Sequence, residues 1–120
     1  MKITRLFSAE YRILNAPQQQ GYTATIEGSG TNGKQVDISL EKGGKQVAVE
    51  ISVTTRAQHE FENIRSDING GYTNIVCLFV SPTALEAVEE LLAAQAITMV
   101  HTRVCCGLVK DYASLLRKCN

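Results

Sequence analysis

Apolar and polar residues alternate most regularly between residues 36 and 53, on both sides of a glycine pair. Gly43 and Gly44 supply the two residues of positive φ that a two-residue hairpin turn requires. From the turn outward, the expected pairs are Lys42 with Lys45, Leu40 with Val47, Ile38 with Val49, and Asp37 with Glu50. Opposed residues share a face of a hairpin, so one face should form an apolar wall: Val36, Ile38, Leu40, Val47, Val49, Ile51 and Val53.

The other face of the predicted hairpin is polar, and its members are Asp37, Ser39, Glu41, Gln46, Ala48, Glu50 and Ser52. Carboxylates directly opposite each other repel and destabilise a sheet. A hard cation between Asp37 and Glu50 would turn the pair into a metal site. The alternative is a solvated polar face on a one-sided sheet. The predicted helices are numerous enough to cover both faces, and this favours the metal site.

Periodicity and turn residues divide the rest of the chain into helices and strands. In chain order they are a helix at Thr4–Asn15, a strand at Tyr22–Glu27, a helix opened by Thr55-Arg56-Ala57-Gln58 and closed by Gly70-Gly71, a strand at Asn74–Val80, a helix from Pro82 to about Gln95, a strand at Ile97–Thr102 and a helix at Leu108–Lys118. The apolar run at 74–80 indicates a strand buried on both faces. This order predicts an α/β fold whose mixed central sheet joins an antiparallel hairpin to helix-connected strands, parallel to one another.

The first predicted helix carries an acidic residue on its apolar side. At 3.6 residues per turn that side comprises Ile3, Leu6, Phe7, Ile13 and Leu14, with Glu10 in the middle of it. A carboxylate that faces a core is costly unless it is paired or bound to a metal. Glu10 is therefore a candidate metal ligand. A snorkelling or Arg-paired Glu10, or a helix phase shifted by one residue, explains the pattern equally well.

Composition and charge narrow the class of protein without selecting a function. The 120 residues form one domain, 1–120, and 44% hydrophobic and 20% charged residues are ordinary for a soluble globular protein. Twelve basic and twelve acidic residues cancel, which neither supports nor excludes nucleic-acid binding. No apolar run reaches bilayer length and no export signal follows the start, so we expect a cytoplasmic location and no membrane contact. The four cysteines fit no zinc spacing and are expected to be reduced: Cys77, Cys105, Cys106 and Cys119.

Asp37, the hairpin turn and the segment at 47–52 together resemble the PD-(D/E)XK nuclease superfamily, which has the restriction-endonuclease-like fold. The superfamily's αβββαβ core order is matched from about Thr4 to Val80, leaving a C-terminal α-β-α extension. The resemblance implies that Asp37, Glu50 and the helix-borne Glu10 bind Mg²⁺, or Mn²⁺ in its place. Residues 47–55, followed by Glu60-x-x-Asn63 and Gly71-Tyr72, resemble a subgroup of small domains found in mobile-element and defence proteins.

The chain departs from the superfamily at the lysine of the E-x-K motif, where Ser52 supplies no cation. In this superfamily the lysine can migrate or be replaced by another polar residue. The helix after the hairpin offers Glu60, Asn63 and Asp67 along one flank of its apolar stripe. Ser52, Glu60 and Asn63 therefore join the two hairpin acids as candidate catalytic residues. His59 as a general base competes with the simpler interpretation of a surface histidine on a helix.

The function implied by the resemblance is a magnesium-dependent endonuclease that hydrolyses DNA phosphodiester bonds with a metal-activated water. A homodimer or a larger mobile-element or defence assembly would be the implied partner. Loss of the lysine should lower the rate by orders of magnitude while metal and nucleic-acid binding survive. Two alternatives stay open: a catalytically impaired domain that binds nucleic acid or a partner protein, and an interaction domain whose acids are merely solvated.

Overall fold

The computed structural model describes residues 20–26, 36–52, 56–94 and 102–119 of the chain. The strands of this part are β1 (Thr23–Ile26), β2 (Ile38–Lys42), β3 (Lys45–Ser52), β4 (Asn74–Phe79) and β5 (Arg103–Leu108). The helices are α1 (Ala57–Asn69), α2 (Pro82–Ala94) and α3 (Tyr112–Lys118), and a 3-10 turn at Val109–Asp111 joins β5 to α3. The predicted helix at Thr4–Asn15, with Glu10, lies outside the described residues, as does Val53.

The strands form one five-stranded sheet in the order β1-β2-β3-β4-β5. β2 is antiparallel to both of its neighbours, β1 and β3, whereas β3, β4 and β5 run parallel to one another. The protein therefore has the α/β fold with a mixed sheet that the order of elements predicts. None of the helices in the described ranges is long and apolar enough to cross a bilayer.

Helices cover both faces of the sheet and so create two separate cores. The first core lies under α3 and contains Tyr22, Ile38, Leu40, Val47, Val49, Ile51, Val76, Leu78, Tyr112, Leu116 and Cys119. The second lies under α1 and α2 and contains Val36, Ala48, Ile64, Tyr72, Ile75, Cys77, Phe79 and Val88. Successive β4 residues alternate between the two cores, which confirms that this apolar strand is buried on both faces.

The predicted signals for helix ends are partly confirmed. The Ser81 hydroxyl accepts a hydrogen bond from the Ala84 N–H (3.3 Å), and Pro82 is the first residue of α2. Gly70 caps α1, and Gly71 follows it with a φ of 100°. At the other end of α1 the N-cap is Arg56, without a side-chain cap hydrogen bond, and Thr55 lies outside the described residues.

The position of the last strand corrects the sequence-based prediction. The strand occupies Arg103–Leu108 rather than Ile97–Thr102: Thr102 precedes it, and residues 97–101 lie outside the described part. Cys105 and Cys106 are strand residues that pack against the two cores as small apolar side chains. The sequence-based prediction considered them only as thiols and so did not include them in a strand. The last helix was predicted to begin at Leu108. That residue ends β5 instead, and α3 begins only at Tyr112.

Candidate functional site

The hairpin that builds the site has the predicted turn, and its register is as predicted from the turn to Ile38 and Val49, but the ladder does not include the predicted pair of Asp37 with Glu50. Gly43 and Gly44 have φ values of 57° and 83°, as a tight turn with two left-handed residues requires. Lys42 pairs with Lys45, Leu40 with Val47, and Ile38 with Val49. The alternation along these strands then sends Glu50 and Ser52 to the face of the sheet that α1 covers.

Asp37 is held by a hydrogen bond instead of by the strand ladder. The paired residues of β2 and β3 end at Ile38 and Val49, and Asp37 lies in a bend just before β2. Its Oδ2 accepts a buried hydrogen bond of 2.7 Å from the Ile51 N–H. In a continued antiparallel ladder that N–H would bond to the backbone carbonyl of residue 36. The carboxylate therefore takes the place of a backbone carbonyl at the end of the hairpin, one position along from Glu50.

This bend also corrects the predicted apolar wall. Val36 does not join Ile38 and Leu40 in the core under α3 but packs in the core under α1 and α2, together with Ala48. Strict alternation places Val36 and Ile38 on the same face. The bend at Asp37 breaks that alternation, because the Asp37 side chain, and not the backbone of residue 36, bonds to β3.

The two hairpin acids are buried, which rules out the solvated polar face. Asp37 is 1% exposed and Glu50 is 2% exposed, whereas Glu41, nearer the turn, is exposed. Buried carboxylates are costly unless hydrogen bonds, counter-charges or a metal compensate them. An interaction domain with freely hydrated acids is therefore not the correct description of this face.

Helix α1 carries a further buried acid in its first turn. Glu60, in its first turn, is buried, and Ile64 and Asp67 continue the buried side of the helix. In the sheet, Glu50 lies opposite Cys77 on β4. A hydrogen bond with the Cys106 thiol and burial raise the pKa of Cys77, and the nearby charges of Glu50 and Glu60 raise it further. Both glutamates therefore lie close to Cys77.

These groups lie at the carboxyl edge of the parallel strands. Glu50 and Ser52 are the last polar residues of β3, and Asp37 precedes the antiparallel β2, so all three occupy the same edge. Helices α1 and α2 both begin there, after β3 and β4 respectively. The buried acids therefore lie at the edge of the sheet where α1 and α2 begin.

Ser52, in the position of the superfamily's lysine, is buried beside Phe79 of β4, and its carbonyl accepts a hydrogen bond of 3.3 Å from the Val80 N–H. Lys42 lies five residues along the hairpin from Asp37, roughly 17 Å at the rise of a strand. Its ammonium group donates to the Gln20 carbonyl (2.8 Å) and lies 5.0 Å from the centre of the Tyr22 ring. Lys42 therefore cannot replace the lysine that the E-x-K motif lacks in this chain.

The remaining candidates on α1 differ in burial. Asn63 is half-buried, and His59 is exposed, as the interpretation of a surface histidine expects. Sequence reasoning did not single out a contact between the Tyr72 hydroxyl and the Ser39 hydroxyl, which are 3.5 Å apart and buried on the same side of the sheet. Because Tyr72 follows α1 and Ser39 belongs to β2, their contact depends on how α1 packs, and no local sequence signal announces it.

The donor atoms suit a small, hard cation. Among the described residues, no group of three or more His, Cys, Asp and Glu side chains is arranged to hold a metal ion. Asp37, in the bend before β2, and Glu50, on β3, supply carboxylate oxygens. Mg²⁺ is commonly bound by one or two carboxylates and keeps several waters. Two acids at this edge therefore fit magnesium better than zinc, which prefers a complete set of His and Cys ligands.

Comparisons with known proteins support the fold and no activity. No family model matches the chain, and no curated protein matches it. Among solved structures it is similar to the crystal structure of AF1548, a protein of unknown function, with a TM-score of 0.50 and 11% sequence identity. The match covers 83% of this chain and 56% of that one, so the chain spans little more than half of its length. At this level of identity, the likeness supports an α/β fold alone.

Proposed function

We propose that this protein is a magnesium-dependent, nuclease-like domain that hydrolyses phosphodiester bonds of DNA. The observation that carries the proposal is the pair of buried acids, Asp37 and Glu50, at the carboxyl edge of the parallel strands. Glu60, a third buried acid, lies in the first turn of α1, which begins at the same edge. The resemblance of this hairpin to that of PD-(D/E)XK nucleases gives the pair its chemical interpretation.

Each side chain has a role in the proposed reaction. Asp37 and Glu50 would hold the ion, and a bound magnesium ion supplies an acidified water and positive charge against the phosphate. Glu60 can accept the proton that the attacking water releases. The Ser52 hydroxyl can donate a hydrogen bond to a phosphate oxygen but cannot neutralise its charge. We therefore expect slow hydrolysis, because the transition state lacks the cation of the usual motif.

Cleavage of supercoiled plasmid in Mg²⁺ or Mn²⁺ tests this function directly. We expect Glu50→Gln to lower the rate at least 100-fold, and Glu62→Gln, an exposed acid on α1, to leave it unchanged. The same metals should raise the melting temperature of the wild type but not that of Glu50→Gln. Equal background cleavage by the wild type and Asp37→Ala, at any metal concentration, would rule out the enzyme.

A second candidate is a related domain that binds nucleic acid without cutting it. Ser52 favours this candidate because it replaces the lysine that the catalytic motif uses. The distribution of surface charge also favours it. The exposed acids of α1 and α2 are Glu62, Glu86, Glu89 and Glu90. The segment of β5 and α3 instead exposes four cations, which we call the basic surface: Arg103, Lys110, Arg117 and Lys118. Metal-independent DNA binding without cleavage would select this candidate.

A further inference from the structure

The cysteines of this protein fall into two pairs, one in each core, on opposite faces of the sheet. The first pair joins β4 to β5, because Cys77 lies directly opposite Cys106 in the parallel ladder. Cys106 is close enough to raise the pKa of the Cys77 thiol. This pair packs in the core under α1 and α2.

The second pair joins β5 to the end of α3. Cys105 precedes Cys106 on the strand, so its side chain lies on the other face, in the core under α3. Cys119 immediately follows α3, and its sulfur lies 3.5 Å from the Ile75 carbonyl oxygen and 3.7 Å from that of Arg103. These contacts place Cys119 over the start of β4 and β5, in the core against which Cys105 packs.

The spacing of the first pair suits a covalent bond. Neighbouring strands lie about 4.8 Å apart, and the Cα atoms of disulfide-bonded cysteines are usually about 4.4–6.8 Å apart. Opposed residues on β4 and β5 meet this requirement without separating the strands. In the second pair, the Cys119 sulfur lies 3.7 Å from the carbonyl oxygen of Arg103, two residues before Cys105 on the same strand.

We propose that Cys77 with Cys106, and Cys105 with Cys119, are two dithiol pairs that a peroxide oxidises to two disulfides. In each pair one thiol sulfur attacks a peroxide oxygen, the O–O bond breaks, and a sulfenic acid and one water form. The second thiol attacks the sulfenic sulfur, an S–S bond forms, the S–O bond breaks, and a second water leaves. Two thiols and one hydrogen peroxide thus give one disulfide and two waters, with sulfur oxidised and peroxide oxygen reduced.

Burial assigns the order of the two steps. Cys105 and Cys106 are half-buried, whereas Cys77 and Cys119 are buried. A dissolved peroxide therefore reaches the two β5 thiols first, and the buried thiols resolve the sulfenic acids. Burial also raises the pKa of Cys119 to about 12, so this thiol carries little of the reactive thiolate at neutral pH.

The inference does not depend on the proposed function, but it connects to the same site. Cys77 lies opposite Glu50, so the bond between Cys77 and Cys106 would form beside the candidate metal ligand. The bond between Cys105 and Cys119 would tie the end of α3 to β5. Oxidation would then link β4 to β5 within the sheet and α3 to β5 on one face of it.

Mass spectrometry of the folded protein after peroxide treatment tests the pairing. The reduced wild type is oxidised, remaining thiols are alkylated with N-ethylmaleimide, and the non-reduced protein is weighed and digested. We expect a monomer about 4 Da lighter, without alkylation, from the loss of four thiol hydrogens. Four cysteines allow three complete pairings, and the structure selects only one of them.

Two serine variants assign the pairs, since Cys105 and Cys106 are too close to separate by digestion. Cys105→Ser should form only the bond between Cys77 and Cys106, and Cys106→Ser only the bond between Cys105 and Cys119. Wild type oxidised in urea should give mixed pairings and serves as the control. A bond between Cys77 and Cys119 in the folded wild type, or four alkylated thiols after a dose that oxidises the urea-unfolded protein, would overturn the proposal.

Discussion

At the scale of single residues, Asp37 combines a structural contact with a candidate chemical role. Its carboxylate satisfies the Ile51 N–H, a backbone donor that the end of the strand ladder would otherwise leave unpaired. The same side chain is one of the two acids proposed to hold a cation. The two roles are separable, because the hydrogen bond needs only an acceptor oxygen, whereas the cation needs negative charge.

We therefore expect different outcomes for two substitutions of Asp37. Asp37→Ala removes the acceptor of a buried N–H and should lower the free energy of unfolding by about 1–3 kcal/mol. Asp37→Asn keeps an acceptor oxygen and should lose less, yet both should abolish the rise in melting temperature with Mg²⁺. Urea denaturation measures the first effect, with Glu41→Ala, an exposed β2 acid, as control. Equal loss of stability in Asp37→Asn and Asp37→Ala would show that the hydrogen bond from the Ile51 N–H does not account for the contribution of Asp37 to stability.

Two tyrosines in the core under α3 make the free energy of unfolding sensitive to alkaline pH. The hydroxyls of Tyr22 and Tyr112 are buried and find no hydrogen-bond partner in the described part of the chain. Burial raises the pKa of Tyr112 well above the ordinary value of 10.0, and burial also raises that of Tyr22. In alkaline solution the unfolded chain therefore loses these protons before the folded protein does, so stability falls as the pH rises above 10.

The variant Tyr112→Phe keeps the ring and removes the hydroxyl. We expect stability at pH 7 to be unchanged or up to about 1 kcal/mol higher, because a buried unpaired polar group is lost. Above pH 10 the free energy of unfolding should fall less steeply with pH than in the wild type. Urea denaturation across this range gives both slopes. Identical alkaline slopes would mean that the Tyr112 hydroxyl ionises as easily in the folded protein as in the unfolded chain.

At the scale of secondary-structure elements, the contact between β5 and α3 depends on a glycine. A Cβ at Gly107 would overlap the Leu115 side chain of α3, so the absence of a side chain lets the helix approach the strand. This close approach closes the core under α3, in which Tyr112 and Leu116 are buried.

Gly107→Ala should accordingly destabilise the protein by about 1–3 kcal/mol through overpacking. Leu115→Ala removes the side-chain atoms that the new methyl group would overlap, but it also lowers the free energy of unfolding by itself. The double variant should therefore be more stable than the sum of the two single effects implies. A double-mutant cycle by urea denaturation measures this coupling. Additive effects would show that the strand and helix adjust to the added methyl group by some other movement.

Sequence reasoning succeeded for elements with strong local signals and failed where tertiary packing decides. The turn at Gly43 and Gly44, together with alternation, fixes the register of the hairpin. The burial of Glu50 could not be deduced from that pattern, because it depends on α1 crossing the polar face. The last strand was misplaced because Cys105 and Cys106 carry no conventional strand signal. The position of Cys106 opposite Cys77 depends on pairing between two strands that α2 separates, and the position of Cys119 near Cys105 depends on how α3 packs.

At the scale of the whole molecule, a net charge of zero conceals an uneven distribution. The described surface is mainly acidic on the side of α1 and α2 and carries the basic surface on the side of β5 and α3. Phosphate groups of a nucleic acid would be attracted to the second side.

DNA binding measured by fluorescence anisotropy at several salt concentrations tests this arrangement. Arg117→Gln, on the basic surface, should weaken binding to all sequences and reduce the slope of log K against log salt concentration by about 1. Arg65→Gln makes the same change of charge on an exposed α1 position and should leave the slope unaltered. Equal effects of the two variants would assign the attraction to overall charge instead of to the basic surface.

Three successive residues of β5 limit how the length of this strand can change. Cys105 and Gly107 belong to the layer of α3, and Cys106 between them belongs to the layer of α1 and α2. Inserting or deleting one residue in this strand would exchange its faces. Each thiol would then leave its neighbour, and a side chain would replace the gap opposite Leu115. Homologous chains that keep both layers should therefore vary in the length of the flanking loops and not in the length of this strand.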